Sequence, residues 1–143
     1  MPAIFKDFGV EFLYPENWAI VEQTDDDPQT VALETPSGAQ WTLHVYQGAV
    51  DLHGLLDEAV EALAAEYPDF EKETVDEPDD GADEGFDMHF FYLDLLIEAR
   101  VRGLLLPGKA LVWISQAESR DFEKLEMVFK AVITSLINKT RET

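Results

Sequence analysis

The stretch Phe8-Gly9-Val10-Glu11-Phe12-Leu13-Tyr14-Pro15-Glu16-Asn17-Trp18 decides the fold class. Phe8, Val10, Phe12 and Tyr14 alternate along it, the period of a half-buried strand. Pro15 breaks the run, and an apolar segment restarts on Trp18. A chain that opens on a strand over 4–14 and resumes after a proline turn builds antiparallel sheet from its beginning. Working outward, residues 18–23 and 30–34 are the next expected strands, separated by the turn Asp25-Asp26-Asp27-Pro28. Thr35-Pro36-Ser37-Gly38 forms a second turn, with Pro pre-setting φ and Gly tolerating a positive one. Trp41, Leu43 and Val45 then alternate with Gln40, Thr42, His44 and Tyr46 in a half-buried strand.

The period changes at Asp51. Leu52, Leu55, Leu56, Ala59, Val60 and Leu63 follow helical spacing and mark one stripe of an amphipathic helix over 51–67. Asp51 is the expected N-cap and Pro68 the stop. Residues 70–77 suit a short polar edge strand, and 79–85 a solvated loop. Strands are expected at 86–94, 96–106 and 109–117, the last two joined by Leu106-Pro107-Gly108-Lys109 as a type II turn. A final helix over 120–138 turns Phe122, Leu125, Phe129, Val132, Ile133 and Leu136 inward, with Ser119 or Asp121 as cap.

Ala110, Val112 and Ile114 oppose Leu111 and Trp113 on one strand, so both faces of the sheet need cover. Two amphipathic helices supply it, one per face. The expected class is α+β: an α/β/α sandwich with an antiparallel sheet of about six to eight strands. One long helix follows the fourth strand and another closes the chain, all in one domain over 1–143.

That order of elements resembles the Mog/PsbP-type fold, which includes the bacterial DcrB-like proteins. The matching features are the strand ending in Tyr14-Pro15-Glu16-Asn17-Trp18, the Trp41–Val45 strand and the helix 51–67. The Pro107-Gly108 turn into Trp113-Ile114 and the closing helix with Phe122, Phe129 and Ser135-Leu136 complete the pattern. The resemblance implies the sandwich and a non-catalytic role, since relatives act as adaptors. One kind binds a small GTPase in nuclear transport, and another supports the photosynthetic oxygen-evolving complex. Neither kind's partner-binding residues map onto positions here.

Thirty acidic residues against ten basic ones leave a formal net charge of −20. Such a surface repels phosphate backbones and anionic lipid heads, which argues against nucleic acid and membranes and for a basic protein partner. The chain has no cysteine, which excludes disulfides, thiolate metal sites and cysteine nucleophiles. No apolar run approaches a membrane span, and Met-Pro-Ala-Ile-Phe-Lys-Asp lacks a signal-peptide core, so a cytoplasmic location is expected.

No residue pattern names a reaction, and no catalytic, cofactor or metal ligands are assigned. His44, His53 and His89 lack metal-ligand spacing. An EF-hand alignment of the 76–87 loop on Gly81 puts Pro78 where a carboxylate belongs, leaving at most a loose divalent-cation site. Phe90-Phe91-Tyr92 fits the strand pattern and is expected to fill core. The candidate partner-binding residues are Asp25, Asp26 and Asp27 at one turn, with Asp79, Asp80, Asp83 and Glu84 at the later loop. Arg100 and Arg102 share a strand face and are the candidate anion contacts. The expected function is a non-enzymatic interaction module with an acidic surface. The alternative is a domain binding a small molecule or divalent cation.

Overall fold

In the computed structural model, which describes residues 2–48, 50–67, 69–76, 78 and 81–141, Phe8 and Gly9 divide the opening segment. Both carry positive φ, 58° and 75°, the requirement of a type I′ two-residue turn. The expected strand over 4–14 is therefore a hairpin of β1 (Ala3–Asp7) and β2 (Val10–Tyr14). Phenylalanine holds this conformation because Asp7 Oδ1 accepts its N–H at 2.8 Å and its buried ring packs 5.6 Å from Phe5.

Next come β3 (Ala19–Thr24), β4 (Gln29–Glu34) and β5 (Gln40–Gln47), so five strands precede the first helix. After α1 (Leu52–Glu66) the chain forms β6 (Phe70–Val75), β7 (Glu84–Tyr92), β8 (Leu95–Leu106) and β9 (Lys109–Glu118), then α2 (Ser119–Arg141). The main sheet has seven strands in the order β3-β4-β5-β9-β8-β7-β6, and every neighbouring pair is antiparallel. Gly108, at φ 78°, makes the β8–β9 turn. Asp51 occupies the α1 N-cap position without a side-chain capping bond. Pro68 lies outside the described residues. The α2 cap is neither Ser119 nor Asp121: Glu118 Oε2 accepts the N–H groups of Arg120 and Asp121 at 3.1 and 3.3 Å.

Alternation along the strands sorts the core into two layers. Trp41, Leu43, Val45, Val31, Leu33, Leu111 and Trp113 face α2 and the β1–β2 hairpin. The hairpin is tied to α2 where Ser135 Oγ accepts the Leu13 N–H at 2.9 Å. On the opposite face Phe86, Met88, Ala99, Val101 and Val112 meet Leu52, Leu56 and Val60 of α1. Full burial of a leucine such as Leu56 contributes roughly 1.5–3 kcal/mol. The result is an α/β/α sandwich of the α+β class.

The segment ahead of β7 is less free than a solvated loop. Ala82 packs against the α2-side core. The Asp83 N–H donates to the Gly103 carbonyl at 2.8 Å, and Asp83 Oδ2 accepts the Leu105 N–H at 2.8 Å. Glu84 and Gly85 already belong to β7.

Candidate functional site

Helix α1 covers β7, β8 and β9 but leaves the same face of β4 and β5 partly open. A groove of about 440 Å³ runs between them, lined by Thr30, His44, Tyr46, Glu58, Leu63 and Glu66 among others. Even-numbered β5 residues reach it because the odd-numbered ones are committed to the opposite core layer. At its floor the Thr30 hydroxyl donates to the Pro28 carbonyl at 3.2 Å and lies 3.0 Å from His44 Nδ1. Burial holds the His44 pKa below its ordinary value, with Glu22 pulling more weakly the other way. The Tyr46 hydroxyl is pushed up by burial and further by the charges of Glu58 and Asp27.

That last effect links two acidic elements across the groove. Asp27 belongs to the β3–β4 turn, where Asp25, Asp26 and Asp27 are all exposed. Glu58 belongs to α1, whose fifteen residues include Asp57, Glu58, Glu61 and Glu66 and no lysine or arginine. Helix α2 carries five of the chain's ten basic residues, so the two helices differ sharply in charge. The bias of α1 is visible in the sequence as Asp57, Glu58, Glu61 and Glu66 set between the residues of its apolar stripe.

The sequence-derived acidic residues fall at one end of the sheet but do not cluster. Gln29 pairs with Val45, Val45 with Leu111, Leu111 with Leu104, and Glu84 with Gly103 next to it. The Asp25–Asp27 turn and Asp83–Glu84 therefore share that end, four inter-strand steps or about 19 Å apart. Asp83 commits one carboxylate oxygen to the Leu105 amide, and Glu84 Oε1 lies 3.7 Å from His53 Nδ1. Asp79 and Asp80 lie outside the described residues.

Arg100 and Arg102 lie on the α2 side of β8. Arg100 reaches Glu126 at 3.1 Å and Glu98 at 3.5 Å, with its guanidinium 4.5 Å from the Phe122 ring centre. Arg102 is buried, 2.8 Å from Asp87 Oδ1, and donates to the Phe86 and Val101 carbonyls at 3.1 Å each. The two arginines, with Ser115 and Lys130, line a cavity of about 110 Å³ beneath α2, and Arg100 Nε is buried without a hydrogen-bond partner. His89 lies 3.6 Å from Glu98 at the margin of this polar strip. Among the described residues no three His, Asp or Glu side chains converge as a metal site would require. No helix among them is long and apolar enough to cross a membrane.

No protein-family profile and no curated sequence matches the chain. Solved structures do. Cyanobacterial PsbP (CyanoP) from Synechocystis sp. PCC 6803 superposes with a TM-score of 0.62 at 15% identity, over 94% of this chain and 90% of that one. The Ran-binding protein Mog1p of Saccharomyces cerevisiae gives 0.61 at 9% identity, over 97% and 94%. PA94 from Pseudomonas aeruginosa, a protein of unknown function described as a putative regulator, gives 0.57 at 13%, over 94% and 95%. Identities this low establish the architecture alone, an antiparallel sheet between helical layers. That architecture is the Mog/PsbP-like fold, along nearly the whole chain.

Proposed function

We propose that the chain is a non-enzymatic docking module, an adaptor that engages a basic protein surface through α1 and the groove beside it. The observation that carries this reading is the segregation of charge. Helix α1 carries four carboxylates and no lysine or arginine, two of them, Glu58 and Glu66, line the groove, and the strand of its far wall begins just after the exposed Asp25, Asp26 and Asp27. The molecular surface of 7948 Å² bears a net charge of −20, roughly one negative charge per 400 Å². A field of that density steers basic partners in and repels nucleic acid and anionic lipid. That one structural neighbour is a Ran-binding protein adds support for an interaction role.

The test uses the purified chain as bait in lysate of its source at about 50 and 300 mM salt, where the Debye length falls from about 14 to 6 Å. A basic protein is captured at the lower salt and released at the higher. The double variant Glu58→Lys, Glu61→Lys loses it at both. Capture indifferent to salt would remove the electrostatic basis, and capture indifferent to the variant would move the interface off α1.

A second reading, a small-anion site, is favoured by the unpartnered Arg100 Nε beside Ser115 in the cavity beneath α2. Saturable thermal stabilisation by acetate or inorganic phosphate, absent with chloride at matched ionic strength, supports it. A response equal to that of chloride removes it.

A further inference from the structure

The β7–β8 hairpin ends in an apolar tip. Phe91, Tyr92, Leu93 and Leu95 are 68, 52, 80 and 44% exposed, and Phe70 of the adjoining β6 is 36% exposed. Scattered apolar side chains on a surface carry no information, whereas four within five residues of one projection form a patch. This corrects the expectation that Phe90-Phe91-Tyr92 fills core: only Phe90 does. The patch wraps the hairpin. Tyr92 and Leu95 are cross-strand partners on the α1 side, Phe91 opposes Leu96 on the other, and Leu93 stands at the apex. A partner laid flat against a sheet covers one face. Apolar groups on both faces and the apex are covered only by a recess that surrounds the hairpin.

The backbone at the apex points the same way. Leu93 and Asp94 have φ of 50° and 66°, a turn that favours Asn, Asp or Gly at both positions. Phe8 offsets the same cost by burying its ring, but Leu93 buries almost nothing. Strain combined with exposed apolar surface marks a segment kept for contact rather than for folding.

Charge decides what the recess belongs to. Asp94 is exposed beside Leu93, and an ionised carboxylate would lead the tip into hydrocarbon, a costly burial. Asp69 and Glu71 flank the base, and residues 69–71 and 88–97 contain no Lys or Arg to attract anionic headgroups. We infer that the β7–β8 tip inserts about 10 Å into an apolar pocket of a protein partner, and that a Lys or Arg inside that pocket meets Asp94. This depends on the docking reading only in requiring a protein partner; the surface involved is a different one.

The experiment places a photo-crosslinking residue at the tip, Leu93→p-benzoylphenylalanine, and in a parallel chain on α1, Glu58→p-benzoylphenylalanine. Both are irradiated in lysate of the source at 50 and 300 mM salt. The expected result is an adduct from position 93 at the lower salt, mapping to an apolar peptide that contains Lys or Arg. Adding Asp94→Asn lowers its yield about tenfold, the effect of losing roughly one charge-assisted contact, while Glu123→Gln at an exposed position of α2 leaves it unchanged. An adduct from position 58 with none from position 93 overturns the insertion and spares the docking module. Adducts from neither overturn both. A position-93 adduct indifferent to Asp94→Asn, or on a peptide without a basic residue, overturns the assigned pocket chemistry. Flotation with phosphatidylcholine vesicles is expected to leave the protein behind. Co-flotation abolished by Leu93→Asp, in a variant whose circular dichroism is unchanged, would assign the tip to lipid and overturn the proposal.

Discussion

Leu93 and Phe8 share a left-handed backbone conformation and differ in what surrounds them, and that difference sets their tolerance to substitution. For a non-glycine residue the left-handed region costs about 1–2 kcal/mol. Glycine recovers most of this but loses about 0.5–1 kcal/mol through the freedom of the unfolded chain. Leu93→Gly is therefore expected to raise the thermal midpoint by roughly 2–4 °C in calorimetry. Phe8→Gly, which removes a buried ring from beside Phe5, lowers it. His44 makes the second prediction at this scale. Its folded pKa lies below the ordinary 6.5, chiefly through burial. As pH falls, the unfolded chain takes up the proton first, so His44 contributes stability in full above about pH 6.5. That contribution is lost as the pH drops toward the folded pKa. Urea titrations of the wild type and His44→Gln between pH 7.5 and 5 are expected to diverge on the acid side; parallel curves would refute the assignment.

At the scale of elements, close approach explains a glycine that its backbone angles do not. A Cβ on Gly85 would stand 2.7 Å from Arg102 Cδ and 2.9 Å from the Val101 carbonyl oxygen, a backbone atom that cannot step aside. Gly85→Ala is expected to cost about 1–3 kcal/mol by chemical denaturation, forcing β7 off β8 where Arg102 is buried. Much of the element order was legible in the residues. β5 alternates cleanly because only one of its faces reaches the deep core, and the α1 stripe and the Pro107-Gly108 turn follow from period and turn chemistry alone. Three features were hidden for physical reasons. Phe8 keeps the strand alternation through a reversal, because its ring is buried at the very turn. Phe91 and Tyr92 keep it beyond the covered part of the sheet, and alternation reports strand pairing without saying whether anything lies against the face. The α2 cap is not one of the favoured capping residues: the longer Glu118 side chain reaches forward to the amides of Arg120 and Asp121. At the candidate site the exposed aspartates were readable as a turn, but their relation to α1 needed the sheet order that brings β4 and β5 beside the helix.

For the whole molecule, charge is the dominant long-range term. A net charge of −20 repels itself in the folded state more than in the expanded one, so salt is expected to stabilise the fold. Raising sodium chloride from 50 to 500 mM should lift the thermal midpoint by several degrees, opposite to the weakening expected for partner binding. A flat response would mean that cations already bound to the chain neutralise it. The strand order has a different kind of consequence. β9, residues 109–118, lies at the middle of the seven strands and pairs on one side with β5 and on the other with β8. The main-sheet strands before it make two separate meanders, β3-β4-β5 and β6-β7-β8, each with a rim waiting for a neighbour. During synthesis those rims leave the ribosome first, and the keystone that closes them arrives only after three-quarters of the chain has been made. For that interval the growing polypeptide is two unfinished sheets, and its net charge of −20 opposes the pairing of one nascent chain with another.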